Sequence, residues 1–257
     1  MSRTLVGIYQ RMLGSPSRQL LNVSISTLSR GQAVSVIDRH LDVGERLNVG
    51  FVNAHSLNIS THNTPYREAL EQFLVLNDGL GLNLASRIKY GKAFRDNLNG
   101  TDFVPYLLST TRHRLRIYLV GTSDHAVQVA ARKMSLRFPR HIIVGYRNGF
   151  FTGLDDIEAT CRTISASKAD CVLVGMGNPL QELWIAEHGA KTGARLLIGV
   201  GALLDFQAGV VSRAPDWIRR IHCEWIYRLL QEPRRLARRY LIGNAVFLGR
   251  AVRDARR

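Results

Sequence analysis

Residues 169–201 read ADCVLVGMGNPLQELWIAEHGAKTGARLLIGVG, and this stretch decides the fold. An unbroken apolar run leads to Gly175 and Gly177, a segment with apolar residues at helical spacing follows, and a second apolar run leads to Gly201. Unbroken apolar strands are typical of a parallel sheet that helices cover on both faces. The middle segment has the length that a crossover between parallel strands needs. The stretch therefore predicts a strand–helix–strand unit.

The same alternation extends upstream. The segments RLRIYLVG (114–121) and HIIVGYRNGFF (141–151) predict strands, whereas TSDHAVQVAARKMSLRF (122–138) and DDIEATCRTISASK (155–168) predict helices. We therefore predict an α/β fold with a doubly wound parallel sheet. Ligands of such sheets bind beyond the carboxyl ends of the strands. The glycines that follow the predicted strands are expected to line one cleft there: Gly79, Gly121, Gly145, Gly177 and Gly201.

Three regions of the chain differ in composition and in the pattern of apolar residues. Residues 1–30 are polar and rich in serine, which predicts a weakly ordered leader, whereas residues 31–208 carry the predicted sheet. Residues 209–257 form a basic, helical C-terminal appendage, in which Pro233 interrupts the helical pattern, so two or three helices are expected. Twelve arginines stand against four acids there, so that +8 of the formal net charge of +15 lies in this region. Such a surface attracts nucleic acid or an anionic membrane.

The composition, 46% hydrophobic and 21% charged in 257 residues, is that of a globular protein and excludes disordered and fibrous classes. The cysteines, Cys161, Cys171 and Cys223, are too scattered for a disulfide framework or a metal site, which suggests a reducing compartment. We expect no secretory signal. No apolar run approaches the roughly 18 residues that a membrane span requires.

The segment LNDGLGLNLASR (76–87) places a carboxylate, Asp78, between Asn77 and Gly79 at the end of the apolar run FLVL. Asn-Asp-Gly is strong turn chemistry, so a structural turn is the simpler interpretation. A catalytic base held at a strand end is the alternative. The glycines also resemble a dinucleotide fingerprint, but no acid follows a second strand at the spacing that the fingerprint requires.

The segment VGMGNPLQELWIAEH (174–188) is rich in polar candidates. Gly177 permits close backbone approach, and Asn178 is expected to cap the next helix, with Pro179 in its first turn. A helix N-terminus after glycines suits a diphosphate. Gln181 and Glu182 could then hydrogen-bond a sugar or base, although an ordinary capped helix explains them equally well.

Further polar candidates follow other predicted strands. Thr122 and Ser123 follow Gly121, and a routine helix cap explains them more simply than a phosphate contact. Asp205 lies six residues after the strand-end Gly199 and either faces the cleft or caps a helix. The histidines show no metal-ligand spacing, and the sequence has no Asp-x-Asp, which favours chemistry without a metal ion.

Several motifs together resemble the WecG/TagA/CpsF glycosyltransferases, glycosyltransferase family 26. The resemblance spans residues 49–247. It is carried by LNDGLGLNLASR, NGTDF, VGMGNPLQELWIAEH, GVGALLDFQAG, RAPDW and EWIYRLLQEPRRLARRYLIGN, in family order.

The resemblance implies a bacterial, inverting enzyme with a Rossmann-like core. It would move a sugar from a UDP-sugar to a saccharide on undecaprenyl diphosphate without a metal ion or other cofactor. The C-terminal appendage would complete the active site and hold the enzyme peripherally at the cytoplasmic face of the inner membrane, on an anionic surface. Nucleic acid is not expected as a partner. Self-association into a homo-oligomer is left open.

The resemblance also implies roles for residues. Asp78 matches the family's proposed general base. We assign substrate binding to Asn53, Asn77, Gly79, Arg95, Thr101, Asp102, Gly121, Gly177, Asn178, Gln181, Glu182, Asp205, Arg213, Arg228 and Arg235.

Two positions depart from the family pattern. Phe51 stands where a threonine is common, and Asn97 stands where an arginine is common. We expect Arg95 to substitute for that arginine, since residues two apart in an extended segment point the same way. Both departures leave room for a donor other than UDP-N-acetylmannosamine, such as UDP-glucose.

Two other function classes are alternatives. A nicotinamide-dependent oxidoreductase would share the fold class but should show a complete dinucleotide fingerprint. A nucleic-acid-binding protein would use the basic appendage and bind DNA in a salt-sensitive way.

Overall fold

The computed structural model describes residues 16–215, 224–231, 233–237 and 241–256. Its strands are β1 Ser17–Leu20, β2 Val23–Ser26, β3 Leu47–Val52, β4 Phe73–Asn77, β5 Arg116–Gly121, β6 Ile142–Arg147, β7 Cys171–Gly175 and β8 Leu196–Gly199. Strands β1 and β2 pair as an antiparallel hairpin. The other strands form one parallel sheet in the order β4-β3-β8-β7-β5-β6, so that β8, the last of these strands, lies at the centre between β3 and β7.

Helices connect the strands and cover the sheet. They are α1 Arg30–Val43, α2 Ala54–Ser60, α3 Thr64–Leu70, α4 Leu80–Tyr90, α5 Gly100–Thr110, α6 Asp124–Arg137, α7 Leu154–Ala166, α8 Leu180–His188, α9 Leu203–Ala208, α10 Glu224–Gln231, α11 Pro233–Ala237 and α12 Gly243–Ala255. A 3-10 turn, Gly189–Thr192, extends α8. The predicted α/β fold with a doubly wound parallel sheet is confirmed.

Two hydrophobic clusters lie on opposite faces of the sheet. In β7, Leu173 belongs to one cluster, whereas Val172 and Val174 belong to the other. All three side chains are fully buried, because successive residues of a strand point to opposite faces and both faces are covered. This is why the strand sequences show no apolar–polar alternation. Strand β6, at the edge of the sheet, is only partly covered.

The hairpin β1–β2 differs from the weakly ordered leader that we expected over residues 1–30. Leu20, Val23 and Ile25 are buried in one of the two clusters, and the Arg18 guanidinium donates to Ser86 Oγ at 2.7 Å. The alternation of Val23 and Ile25 with serines is a strand pattern of period two that the serine-rich composition obscured. Residues 1–15 lie outside the described residues.

The C-terminal region also packs more closely than an appendage would. Pro233 begins α11, in agreement with the predicted interruption. Helix α12 packs against α2 and α4, and its Phe247 is fully buried in the core cluster. Trp217 and Ile221 lie outside the described residues. No helix in the described part of the chain is long and apolar enough to cross a membrane.

One glycine does not lie where we expected it. Gly145 is inside β6 and not after it. A Cβ at this position would stand 2.4 Å from the Tyr118 ring, so glycine is needed here for packing against β5 and not for lining a cleft.

Candidate active site

Asp78 and Asn53 meet at the carboxyl ends of the adjacent strands β3 and β4. Asn53 Nδ2 donates a hydrogen bond to Asp78 Oδ2 at 3.3 Å. The Asp78 amide donates to Val52 O at 2.8 Å, which ties the residue to the end of β3. Both side chains are half-buried at the rim of the sheet. The carboxylate is therefore held in place without being enclosed.

The orientation of the Asn53 amide is fixed by helix α2, of which Asn53 is the N-cap. Its Oδ1 accepts from the backbone amides of His55 at 3.1 Å and Ser56 at 3.2 Å. Since the oxygen is engaged by the helix, the nitrogen must face Asp78. The N-cap thus directs a donor onto the carboxylate.

The turn interpretation of Asp78 is also correct, but the unusual backbone falls on its neighbour. Gly79 has φ +94° and is the N-cap of α4. Its amide donates to Asn97 Oδ1 at 2.7 Å. Turn chemistry and an exposed carboxylate therefore coexist at this strand end.

Asn77, expected in the site, is instead fully buried. Its Nδ2 donates to Asp96 O at 2.9 Å, and its backbone oxygen accepts from Leu98. Its Oδ1 has no hydrogen-bond partner among the described residues. The side chain holds the loop after α4 against β4, so it supports the site from beneath.

Phe51 and Arg95, the two departures from the family pattern, have different surroundings. Phe51 is a core residue of β3 that packs 5.9 Å from the Phe103 ring, and a Cβ on Gly100 would stand 2.9 Å from it. Arg95 is exposed and donates to Gln32 Oε1 at 3.2 Å. The segment bends at Arg95 and is not extended, so Arg95 and Asn97 contact different parts of the molecule.

Asp102 and Arg213 form an ion pair beside the first turn of α5. Arg213 Nη1 lies 2.9 Å from Asp102 Oδ1, and its guanidinium stacks 5.6 Å from the Phe206 ring. Asn99 caps α5 by accepting from the Asp102 amide. Thr101, in the same turn, is half-buried. The structure therefore brings together two residues that are 111 positions apart in the chain.

Thr122 and Asp205 connect the loops after β5 and β8. Thr122, with φ +50°, donates through Oγ1 to Asp205 Oδ1. Asp205 lies in the first turn of α9 and makes no side-chain cap there. Gly121 approaches the neighbouring strand so closely that a Cβ would stand 2.4 Å from Gly175 O. Asp205 thus faces the adjacent loop.

The polar residues after β7 are turned inward. Gln181 Oε1 accepts from the amides of Gly177 at 3.2 Å and Gly201 at 3.0 Å, and so ties together the loops after β7 and β8. Gln181 and Glu182 are almost completely buried. Our expectation that both would be open to a sugar or base does not agree with this burial.

Glu182 is a fully buried acid with a strongly raised pKa. Burial raises the pKa of Glu182 to about 7. Its Oε1 accepts from Asn178 Nδ2 at 2.6 Å and Gln181 Nε2 at 2.7 Å, whereas Oε2 has no partner among the described residues. Asn178 therefore bonds Glu182 and does not cap α8, and Pro179 takes the N-cap position.

Arg228 and Arg235 lie on α10 and α11, but their side chains are outside the described part of the structure. The sequence patterns predict no role at the site for Asn97, which accepts from the Gly79 amide, or for Tyr66. Asn97 had been noted only as a departure. Tyr66 OH accepts from Asn178 Nδ2 at 3.4 Å. No local pattern marks a long-range contact of this kind.

Comparison with known proteins gives consistent results. The model described as "Glycosyl transferase WecG/TagA/CpsF family" matches residues 18–257. An N-acetylglucosaminyldiphosphoundecaprenol N-acetyl-beta-D-mannosaminyltransferase of Bacillus spizizenii is 31% identical over 165 residues, 64% of this chain and 63% of that protein. The chain thus spans slightly less than two thirds of that relative. The protein of the same name from Staphylococcus aureus is 31% identical over 189 residues, 72% of each chain.

Proposed function

Because the chain belongs to the WecG/TagA/CpsF family of glycosyltransferases, we propose that it moves a hexose or N-acetylhexosamine from a UDP-sugar to a saccharide on undecaprenyl diphosphate. The transfer would be a step in building a bacterial exopolysaccharide, capsule or cell-wall glycopolymer. The relatives' names specify an N-acetylglucosaminyl-diphosphoundecaprenol acceptor and transfer of N-acetylmannosamine. The comparisons give no support to an oxidoreductase or a nucleic-acid-binding protein.

The observation that carries this proposal is the Asn53–Asp78 pair. A carboxylate at the carboxyl end of a parallel strand lies where ligands of this fold class bind. The hydrogen bond of 3.3 Å from Asn53 holds it in one orientation. A general base must lie within hydrogen-bond reach of the proton that it takes, and a half-buried rim position permits that approach.

The proposed chemistry is a single displacement with inversion. The Asp78 carboxylate takes the proton from the acceptor hydroxyl as that oxygen forms a bond to the anomeric carbon of the donor. The bond from the anomeric carbon to the diphosphate oxygen breaks, and UDP leaves with the electron pair. One carboxylate is sufficient for this step, which general-base catalysis accelerates typically about 10²–10⁴-fold.

The departing diphosphate needs stabilisation, which we assign to cationic side chains and backbone amides without a metal ion. Arg213, Arg228 and Arg235 are the proposed cations. Arg213 is anchored by Asp102 at 2.9 Å in the structure. An arginine held in this way is preorganised, so little side-chain entropy would be lost when it binds a phosphate.

The donor sugar is proposed more broadly than the relatives' names suggest. Phe51 packs in the core, and Gly100 lacks the Cβ that would collide with it, so this corner of the site is apolar. We infer that the position contributes no hydroxyl to donor recognition, which favours testing UDP-glucose together with UDP-N-acetylmannosamine.

A panel of UDP-sugars tests the proposal directly. Purified protein is incubated with each donor and a synthetic lipid-diphosphate saccharide, and products are identified by mass and by anomeric configuration. We expect one donor to give a product heavier by one sugar, with inverted configuration. Transfer with retention would contradict the single displacement, and no transfer from any UDP-sugar would contradict the proposed function.

We further propose peripheral attachment to the anionic, cytoplasmic face of the inner membrane. Beside the basic residues, α10 exposes Ile226 and Leu230 one turn apart, with Leu230 76% exposed. An amphipathic helix of this kind, within a basic region of the chain, lies in the headgroup region of a bilayer. Replacing Leu230 by Glu should weaken sedimentation with anionic liposomes, whereas Leu136→Glu, at a leucine of 77% exposure on α6, should not. Equal binding of both variants would contradict the attachment through α10.

A further inference from the structure

Phe247 on α12 lies where two other helices, α2 and α4, meet. Both of these helices begin at the candidate site. Its side chain is fully buried. A Cβ on Gly81, in the first turn of α4, would stand 3.6 Å from Phe247 Cε1 and 3.4 Å from Ala54 Cβ, in the first turn of α2. The phenyl ring thus packs at the place where the first turns of α2 and α4 come together.

Polar contacts attach α12 to each of these helices separately. On α2, Asn58 Nδ2 donates to Gly243 O at 2.7 Å, and Arg250 Nη1 donates to Asn58 Oδ1 at 2.8 Å. On α4, Lys89 Nζ lies 2.8 Å from Asp254 Oδ2, which also accepts from the Leu21 amide. The contacts of Asn58 hold Gly243 and Arg250, on either side of Phe247, whereas those of Asp254 hold only the last turn of α12.

The two first turns are directly connected to the catalytic pair. Ala54 follows Asn53, whose Oδ1 is bonded to amides of α2 and whose Nδ2 donates to Asp78. Gly81 lies three residues after Asp78, in the helix that Gly79 caps. A shift of either first turn would therefore change the distance between Asn53 and Asp78.

We propose that Phe247 is a positioning residue: its ring sets the spacing of the first turns of α2 and α4 and thereby keeps Asn53 against Asp78. The C-terminal region then acts on the chemistry through an apolar contact beneath the site, besides any arginine that it presents to the donor. The inference rests on the proposed function only for its effect on turnover, and the spacing itself is measurable without substrate.

The experiment compares Phe247→Ala with Phe247→Leu, using a water-soluble acceptor analogue so that membrane attachment has no influence. Small displacements of catalytic groups can cost up to about 100-fold. We expect Phe247→Ala to lower kcat about tenfold with little change in KM for the donor, and Phe247→Leu to recover most of the loss. Benzene, which binds dry apolar cavities of this kind, should partly restore the alanine variant.

Asp254→Ala is the matched control, because it loosens the same helix at its far end. Each variant is also examined by amide hydrogen exchange at His55 and Ser56, whose amides bond to Asn53 Oδ1, and at Gly79. Exchange at these amides should accelerate in Phe247→Ala and stay unchanged in Asp254→Ala.

Three results would overturn the inference. One is unaltered kcat and exchange in a folded Phe247→Ala variant. Another is an equal loss of kcat in Asp254→Ala, which would show that general stability is responsible. If Phe247→Ala does not fold, Phe247→Val replaces it, and wild-type kcat and exchange at His55, Ser56 and Gly79 in that variant are the third. A wild-type protein that transfers no sugar would contradict the proposed function, while the exchange data would still decide the positioning role.

Discussion

The β3–β4 edge of the sheet and its centre, where β7 and β8 lie, use polar side chains in opposite ways. At β3 and β4, Asn53 and Asp78 are half-buried and bonded to each other at the rim. At β7 and β8, Gln181 and Glu182 are buried, and their polar atoms bond to loop amides and to each other. The β3–β4 edge presents a carboxylate, and the centre encloses one.

This difference shows that polar residues just after a strand serve two purposes that look alike in sequence. Buried polar groups are hydrogen-bonded because an unpaired one is costly. The pair at β7 therefore shapes the loops of the rim, while the pair at β3 and β4 is the one that we propose for the chemistry. Each of the following substitutions tests one side of this comparison.

Asp78→Asn should have the largest effect. The turn survives, because Gly79 takes the positive φ and Asn53 can still donate to the new amide oxygen. Removal of a general base should nevertheless lower turnover about 100-fold or more. Steady-state kinetics with a lipid-diphosphate acceptor measures the loss, and circular dichroism verifies the fold. Turnover near that of the wild type in a folded variant would exclude Asp78 as the base.

Gln181→Ala should have an intermediate effect. It leaves the amides of Gly177 and Gly201 without their shared acceptor, so both loops lose a fixed position. We expect kcat/KM for the donor to fall about tenfold, as loss of positioning alone can do. Gln128→Ala, at an exposed glutamine of α6, is the control. A loss as large as that of Asp78→Asn would show that the loops after β7 and β8 take part in the chemistry.

Glu182→Gln should leave activity within about twofold, because the new side chain retains the Oε1 acceptor and Glu182 is proposed only to support the loops. Its effect should appear in stability. The pKa of Glu182 is raised from 4.5 to about 7 by burial, so the folded state holds this proton more tightly than the unfolded state. Wild-type stability should then fall between pH 4.5 and 7 on account of this group and level off above that range.

Urea unfolding at pH 5 and pH 8 measures this dependence. The Glu182→Gln variant should lose part of the pH dependence and should be at least as stable as the wild type at pH 8. An unchanged pH dependence would contradict a buried, protonated Glu182. A loss of turnover near that of Asp78→Asn would contradict its assignment as support.

Arg95→Ala should have the smallest effect, about twofold in donor KM, because the exposed Arg95 bonds Gln32 at 3.2 Å and such exposed contacts contribute little. The sequence-based hypothesis that Arg95 substitutes for the family's arginine requires a larger rise in donor KM. Donor titration of the wild type and of Arg95→Ala distinguishes the small effect from the larger one. A rise in donor KM of about tenfold would favour the hypothesis.

Much of the fold could be predicted from local pattern. The strands β5, β7 and β8 are unbroken apolar runs ending at glycine, and the helices between them have clear apolar spacing. The hairpin β1–β2 was missed because its strands are short and rich in serine, and because Leu20 and Ile25 become core residues only through contacts with distant elements.

The candidate site was predictable where chain position determines it. Asp78 follows β4, and the carboxyl end of a parallel strand is a functional edge whatever its neighbours. Burial of Glu182 and the placement of Phe247 depend on which elements pack above them, so no local pattern distinguishes them from exposed residues. The ion pair between Asp102 and Arg213 joins distant segments and has no local signature.

The most direct test of the account is the comparison of donor binding with turnover in Asp78→Asn. The donor Kd, measured by calorimetry, is set beside the rate of a single turnover with saturating acceptor. If Asp78 is the base of the β3–β4 end, the Kd should stay within about twofold while the rate falls about 100-fold or more. A Kd that weakens in proportion to the rate would show that Asp78 binds the donor and is not the base.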